Sequence, residues 1–153
     1  MSRTRRIAKK PTGPYSRTRC ELAAPPALLA GIEELNRGLY FEQHETLEAL
    51  WLSEPDDVRY LYQGILLVGV GLYHLERGNR VGARSKLRRG LECLEWFRPA
   101  CQGVDVERLV ADASRLLAAV EALGPSAPLE VDRALYPRVG LLPTAASPGS
   151  PGC

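Results

Sequence analysis

No hydrophobic stretch in this 153-residue chain approaches the roughly 20 residues that a membrane-spanning helix needs; the longest, Ile65 to Tyr73, has nine. The basic N-terminus is followed by no apolar signal-peptide core. The four cysteines, Cys20, Cys93, Cys101 and Cys153, form no CxxC pair and match no common zinc spacing. They read as reduced thiols, so the expected setting is the cytoplasm, with no membrane association. No segment alternates apolar and polar residues as a strand does. No Ser or Cys nucleophile stands with a matched base near a polar cluster, and no glycine-rich loop of the phosphate-cradling kind occurs. Covalent catalysis and nucleotide hydrolysis therefore lack support.

What is present suits one compact domain: 45% of residues are hydrophobic, enough for a single core at this length. The net charge of +2 hides an asymmetry. Residues 1–24 hold seven basic groups against Glu21 alone, so the rest of the chain sums to −4. Arginine outnumbers lysine and Ala, Gly and Pro are abundant, a composition typical of GC-rich bacterial genomes. Residues 1–24 read as a basic flexible tail and 124–153 as a Pro-rich flexible tail.

Between the tails, residues 25–123 are helical in pattern. Leu28, Leu29, Ile32 and Leu35 follow a 3.6-residue period after Pro25-Pro26, and Gly38 supplies a stop. A second helix spans about 39–52. The third, about 56–77, is apolar nearly all round from Ile65 to Tyr73, which makes it the central element. Its Gly64, Gly69 and Gly71 weaken helix propensity and so predict close helix contacts. Gly78-Asn79 turns the chain into a fourth helix reaching about Phe97, and Asp105 caps a fifth over about 105–123. The expected fold is all-α, a compact bundle of about five antiparallel helices with flexible ends.

The second helix carries the chemistry. His44 and Glu48 lie one turn apart inside an apolar stripe that includes Tyr40, Phe41, Leu47, Trp51 and Leu52. An antiparallel third helix starting near residue 56 would set Arg59 beside Glu48 and Gln63 beside His44. The expectation is a buried ladder, Glu48 paired with Arg59 and His44 bonded to Gln63, that fixes helix register. A metal site is the sharper alternative, with His44 and Glu48 as ligands and Glu45 in the base position of an HExxH-like motif. His74, about 16 Å further along its helix than Gln63 at 1.5 Å per residue, falls too far away to complete it. It reads as a hairpin histidine near the Gly78-Asn79 turn, with Asn79 as a cap. Arg77, Arg80, Arg84 and Arg88 form a basic stripe expected to be a solvated face.

The run Asn36-Arg-Gly38-Leu-Tyr40-Phe41-Glu-Gln-His44-Glu45-Thr-Leu-Glu48-Ala-Leu-Trp51, then Arg59-Tyr-Leu-Tyr-Gln63-Gly64-Ile65, Tyr73-His74 and Gly78-Asn79-Arg-Val-Gly82-Ala83, resembles the bacterial family called domain of unknown function 309. The resemblance covers roughly residues 32–97. It implies a small helical protein with no assigned activity, and Leu67 replaces a second glutamine that many members carry.

Three readings of function follow. The first is a non-catalytic scaffold or interaction module, since the hairpins turning at Gly38 and Gly78 loosely resemble tetratricopeptide units, although at a longer period than 34 residues. The second is a small enzyme, metal- or ligand-binding protein using His44, Glu48, Gln63 and Glu45. The third is nucleic-acid contact through residues 1–24. No cofactor is implied, and the partner is open between a second copy and another protein.

Overall fold

The computed structural model describes residues 13–143. Five helices dominate them: α1 (Pro26–Asn36), α2 (Tyr40–Ser53), α3 (Arg59–Glu76), α4 (Arg80–Leu94) and α5 (Val106–Ala122). A two-stranded antiparallel hairpin, β1 (Ala100–Cys101) and β2 (Val104–Asp105), links α4 to α5 through a 3-10 turn at Glu95–Phe97. These strands are two residues long, too short to leave a period in the sequence. Each helix packs on its chain neighbours, with α3 in the middle, touching α1, α2 and α4.

The first four helices are one hairpin used twice, displaced by 40 residues. Leu28, Gly31, Ile32 and Leu35 of α1 correspond to Val68, Gly71, Leu72 and Leu75 of α3, and all eight are buried. Leu47 of α2 packs on Gly31, and Leu87 of α4 packs on Gly71. Both turns are Schellman motifs. Gly38 N donates to Leu35 O at 2.9 Å and Leu39 N to Glu34 O at 2.8 Å, while Gly78 N donates to Leu75 O at 3.1 Å and Asn79 N to His74 O at 2.8 Å. Gly38 and Gly78 have φ of +78° and +75°, which side chains with a Cβ adopt at a cost.

Glycine also lets α3 approach its neighbours, as its composition implied. A Cβ on Gly64 would lie 2.7 Å from Leu94, and one on Gly90 3.0 Å from the carbonyl of Gly64. Gly69 faces the Gln43 side chain of α2.

The ends are less free than their proline and charge content suggests. Residues 13–22 form a strap over the loop ends of α3 and α4. Tyr15 is buried, stacked on Tyr60 with centroids 4.2 Å apart, and also meets Phe97 and Trp96. Arg17 donates to the carbonyls of Trp96 and Ala100, and Arg19 pairs with Asp56. Cys20 and Cys101 form a disulfide, which corrects the expectation that all cysteines are thiols. The two are 81 residues apart in sequence, and only the strap brings them together, so spacing could not reveal the pair. Cys93 is buried as a thiol, and Cys153 lies outside the described residues.

Residues 124–143 cross both Schellman turns and finish on the β1–β2 hairpin that the strap also bonds. The Arg80 guanidinium donates to the carbonyls of Leu123, Gly124 and Ala127, where the C-terminal dipole of α5 favours a cation. Glu76 pairs with Arg133, and Asn36 makes two bonds to the backbone of Val139. Val139 is buried, and Leu141 bridges to Val104. Backbone hydrogen bonds hold this segment, so its scarcity of apolar anchors did not leave it free. The rest of both expected tails, 1–12 and 144–153, lies outside the described residues.

Candidate functional site

The loop between α2 and α3 sets which residues meet. Glu54 to Val58 intervene, so α3 starts at Arg59 instead of near residue 56. Gln43 Nε2 donates to Leu66 O at 3.2 Å and its amide lies against Gly69, which places His44 across from about residue 68 instead of 64. The register is therefore one helical turn from the expected one. The buried ladder of His44, Glu48, Arg59 and Gln63 does not form.

Each member has another environment. His44 Nδ1 lies 4.0 Å from Glu48 Oε1, with side chains 42% and 48% exposed, so the pair is a solvent-facing contact within α2. Arg59 sits over the Trp51 ring, 4.8 Å from its centroid, in a cation–π stack. Gln63 turns towards α4, where the Cys93 thiol donates to Oε1 at 3.8 Å. Glu45 is exposed. Among the described residues no group of three or more His, Cys, Asp or Glu is placed to hold a metal ion. His44 and Glu48 thus lack a third ligand from this chain's described part.

The rotation of α2 has a simple origin. Its buried positions are Tyr40, Gln43 and Leu47, whereas Phe41 and Leu52 are 65% and 63% exposed. Counting those two as core shifted the inferred inward direction by about 60° at 100° per residue, towards His44 and Glu48. One of the three is Gln43, fully buried and polar, which hydrophobicity alone passes over. The signal for it was Gly69, which makes room for its amide.

The same rotation brings both histidines of the chain to one groove. Tyr40, Phe41 and His44 of α2 and Val70, Tyr73 and His74 of α3 line a hollow of about 280 Å³. Its walls are almost entirely apolar, and Phe41 and Tyr73, 65% and 40% exposed, stand at its rim. The separation expected between His44 and His74 shrinks because the register moved. Tyr40 is 8% exposed, and burial together with the nearby Glu76 carboxylate pushes its hydroxyl up to about 12. It stays a neutral phenol.

His74 does belong to the turn, as expected. Asn79 Oδ1 accepts from Gly82 N at 2.9 Å, capping α4, and Asn79 Nδ2 donates to His74 Nδ1 at 3.3 Å. Nδ1 is then an acceptor, which leaves the proton of neutral His74 on Nε2. Burial and the charge of Lys86 hold His74 below its ordinary range, consistent with that role. A Cβ on Gly82 would collide with both Asn79 and His74, so His74, Asn79 and Gly82 form one packing unit.

The resemblance drawn from these motifs is matched by comparison with known proteins. Residues 28–85 match the family described as Domain of unknown function (DUF309). Over 85 residues the chain is 34% identical to the uncharacterized protein YpuF of Bacillus subtilis (strain 168). The aligned part is 55% of this chain and 46% of that relative, so the chain spans about half the relative's length. The matched segment contains the groove and both Schellman turns and ends within α4. Among the described residues no helix is long and apolar enough to cross a membrane.

Proposed function

We propose that the domain is a non-catalytic interaction module that docks a partner protein in the α2–α3 groove. The observation that carries this reading is the apolar hollow with Phe41 and Tyr73 exposed at its rim, a combination that water disfavours and a partner's side chains would cover. Repetition of one helical hairpin supports it, since stacked hairpins present such surfaces.

Charge suggests the kind of partner. Residues 26–58 carry eight acidic side chains and one basic, and Glu45 and Glu48 are exposed on the groove's own helix. A segment offering an apolar side chain flanked by Lys or Arg is the complementary occupant. The groove and the ladder residues then divide the work: Arg59 on Trp51 and Gln63 on Cys93 hold helices, while His44 faces the ligand. The Cys20–Cys101 disulfide withdraws the thiol argument on which a cytoplasmic setting rested, because such bonds are rare in a reducing cytosol.

A photo-crosslinking amino acid at position 41 tests the reading in living cells. A defined protein adduct is expected there and should vanish on Tyr73→Asp. An adduct pattern identical to that from exposed Glu107, on the far side of the fold, would sink the proposal.

A further inference from the structure

The occupant that suits the α2–α3 groove, an apolar side chain set among basic ones, occurs on the surface of this same chain. Val81, the second residue of α4, is 68% exposed, more than any other large hydrophobic side chain among the described residues. It is the repeat equivalent of Phe41, the second residue of α2. Arg84 follows it at the next turn of the helix and lines an open surface hollow with it. Arg77 stands just across the Gly78-Asn79 turn, its guanidinium 5.4 Å from the centre of the Tyr73 ring. Residues 59–94 hold seven basic side chains against two acidic ones, the reverse of the α1–α2 hairpin.

This apolar knob and the groove lie side by side. Gly82 follows Val81 and packs on His74, since a Cβ there would come within 2.8 Å of the imidazole, and His74 lines the groove. Across α2, α3 and α4 the surface therefore runs from acid to hollow to knob to base. Glu45 and Glu48 are exposed on α2, the hollow follows between α2 and α3, and Val81 and Arg84 come last on α4. A two-fold axis through the His74–Gly82 contact reverses that order. It sets each copy's Val81 over the other's hollow and each copy's Arg84 beside the other's Glu45 and Glu48. A face of one charge sign would repel its own copy; this one complements it.

We propose that the partner in the α2–α3 groove is a second copy of this chain, the two copies exchanging Val81 side chains in a closed two-fold dimer. The inference rests on the docking role proposed for the groove. Each contact is made twice, so Phe41 and Tyr73 of both copies are covered together. Because every knob finds a groove, the assembly closes at two and leaves nothing to extend a filament. The Arg84 pairs at the rim fix orientation more than they add affinity.

Sedimentation equilibrium of the purified full chain should show a dimer at about 100 μM. Val81→Asp, at a position too exposed to disturb folding, should weaken it at least about tenfold with circular dichroism unchanged. Arg84→Glu and Glu48→Arg should each weaken it, and the double variant should recover part of the loss. With the photo-crosslinking amino acid at position 41 and no other protein present, the adduct should join residue 41 to a peptide that contains Val81. A monomer at every concentration overturns the proposal, and so does a dimer that Val81→Asp leaves unchanged. If the purified chain is monomeric while position 41 captures a different protein in cells, the second copy is refuted and the docking role of the groove stands. If position 41 gives no adduct in either setting, both fall.

Discussion

The α1–α2 and α3–α4 hairpins share a turn, a Gly–Leu contact and a register of buried positions, yet they differ in nearly everything that faces water. Gly31 meets Leu47 as Gly71 meets Leu87, and Gly38 turns the chain as Gly78 does. Residue 39 is Leu with no side-chain cap, whereas residue 79 is Asn and caps its helix. Residue 40 is a buried Tyr beside the groove, whereas residue 80 is an Arg bound to the end of α5. The acidic hairpin gives Tyr40, Phe41 and His44 to the apolar groove it shares with α3, and the basic one carries the arginines of α4. Backbone geometry and one buried contact fix the unit, and surface residues then specialise each copy.

The equivalence can be broken at its deepest contact first. Leu47→Ala and Leu87→Ala, both at fully buried positions, should each cost about 2–5 kcal/mol in urea denaturation. A loss below about 1 kcal/mol at either site would end the claim that the two contacts do the same job. Gly31→Ala and Gly71→Ala should each cost about 1–3 kcal/mol by overpacking. Gly31 should suffer more, because its added Cβ would come nearer to Leu47 than that of Gly71, at 2.9 Å, comes to Leu87.

Much of this pattern was legible in the sequence. Gly38 and Gly78 marked both turns, and Ile65 to Tyr73 marked the central helix. The ladder was not legible, because its existence depended on where α3 starts. Asp56 and Asp57 look like first-turn residues, but they are held outside the helix: Arg19 takes Asp56, and Ser16 N donates to Asp57. Contacts made by a strap some 40 residues away thus delayed the helix and moved the register. Phe41 and Leu52 misdirected the stripe because apolar side chains that stay exposed look, in a sequence, like core ones.

Caps sharpen the comparison on a smaller scale. Asn79→Ala should cost about 1 kcal/mol. The reciprocal change Leu39→Asn should gain up to about 1 kcal/mol, because residues 39 and 79 have similar backbone angles, with φ of −88° and −93°. Thermal melts of the two single variants and the double would show whether one turn can be given the other's cap.

The smallest effect is on pH dependence and belongs to the second hairpin alone. Since folding lowers the affinity of His74 for a proton below the ordinary 6.5, the unfolded chain binds that proton more readily. The stability contributed by neutral His74 is complete above pH 6.5 and declines as pH falls towards the depressed value. His74→Gln should flatten the difference in denaturation midpoint between about pH 8 and about pH 5. An unchanged slope would show that Asn79 holds the cap without help from the imidazole.

The C-terminal segment that runs from Arg80 past Glu76 to Asn36 has a kinetic meaning. Stacked hairpins joined only to their neighbours can fray one at a time from an end. Here one stretch of chain is fastened to both turns, so lifting the first hairpin away also strips hydrogen bonds from the second. Amide exchange should therefore reveal one common opening for α1 through α4, with α1 protected far beyond what an 11-residue terminal helix would sustain by itself.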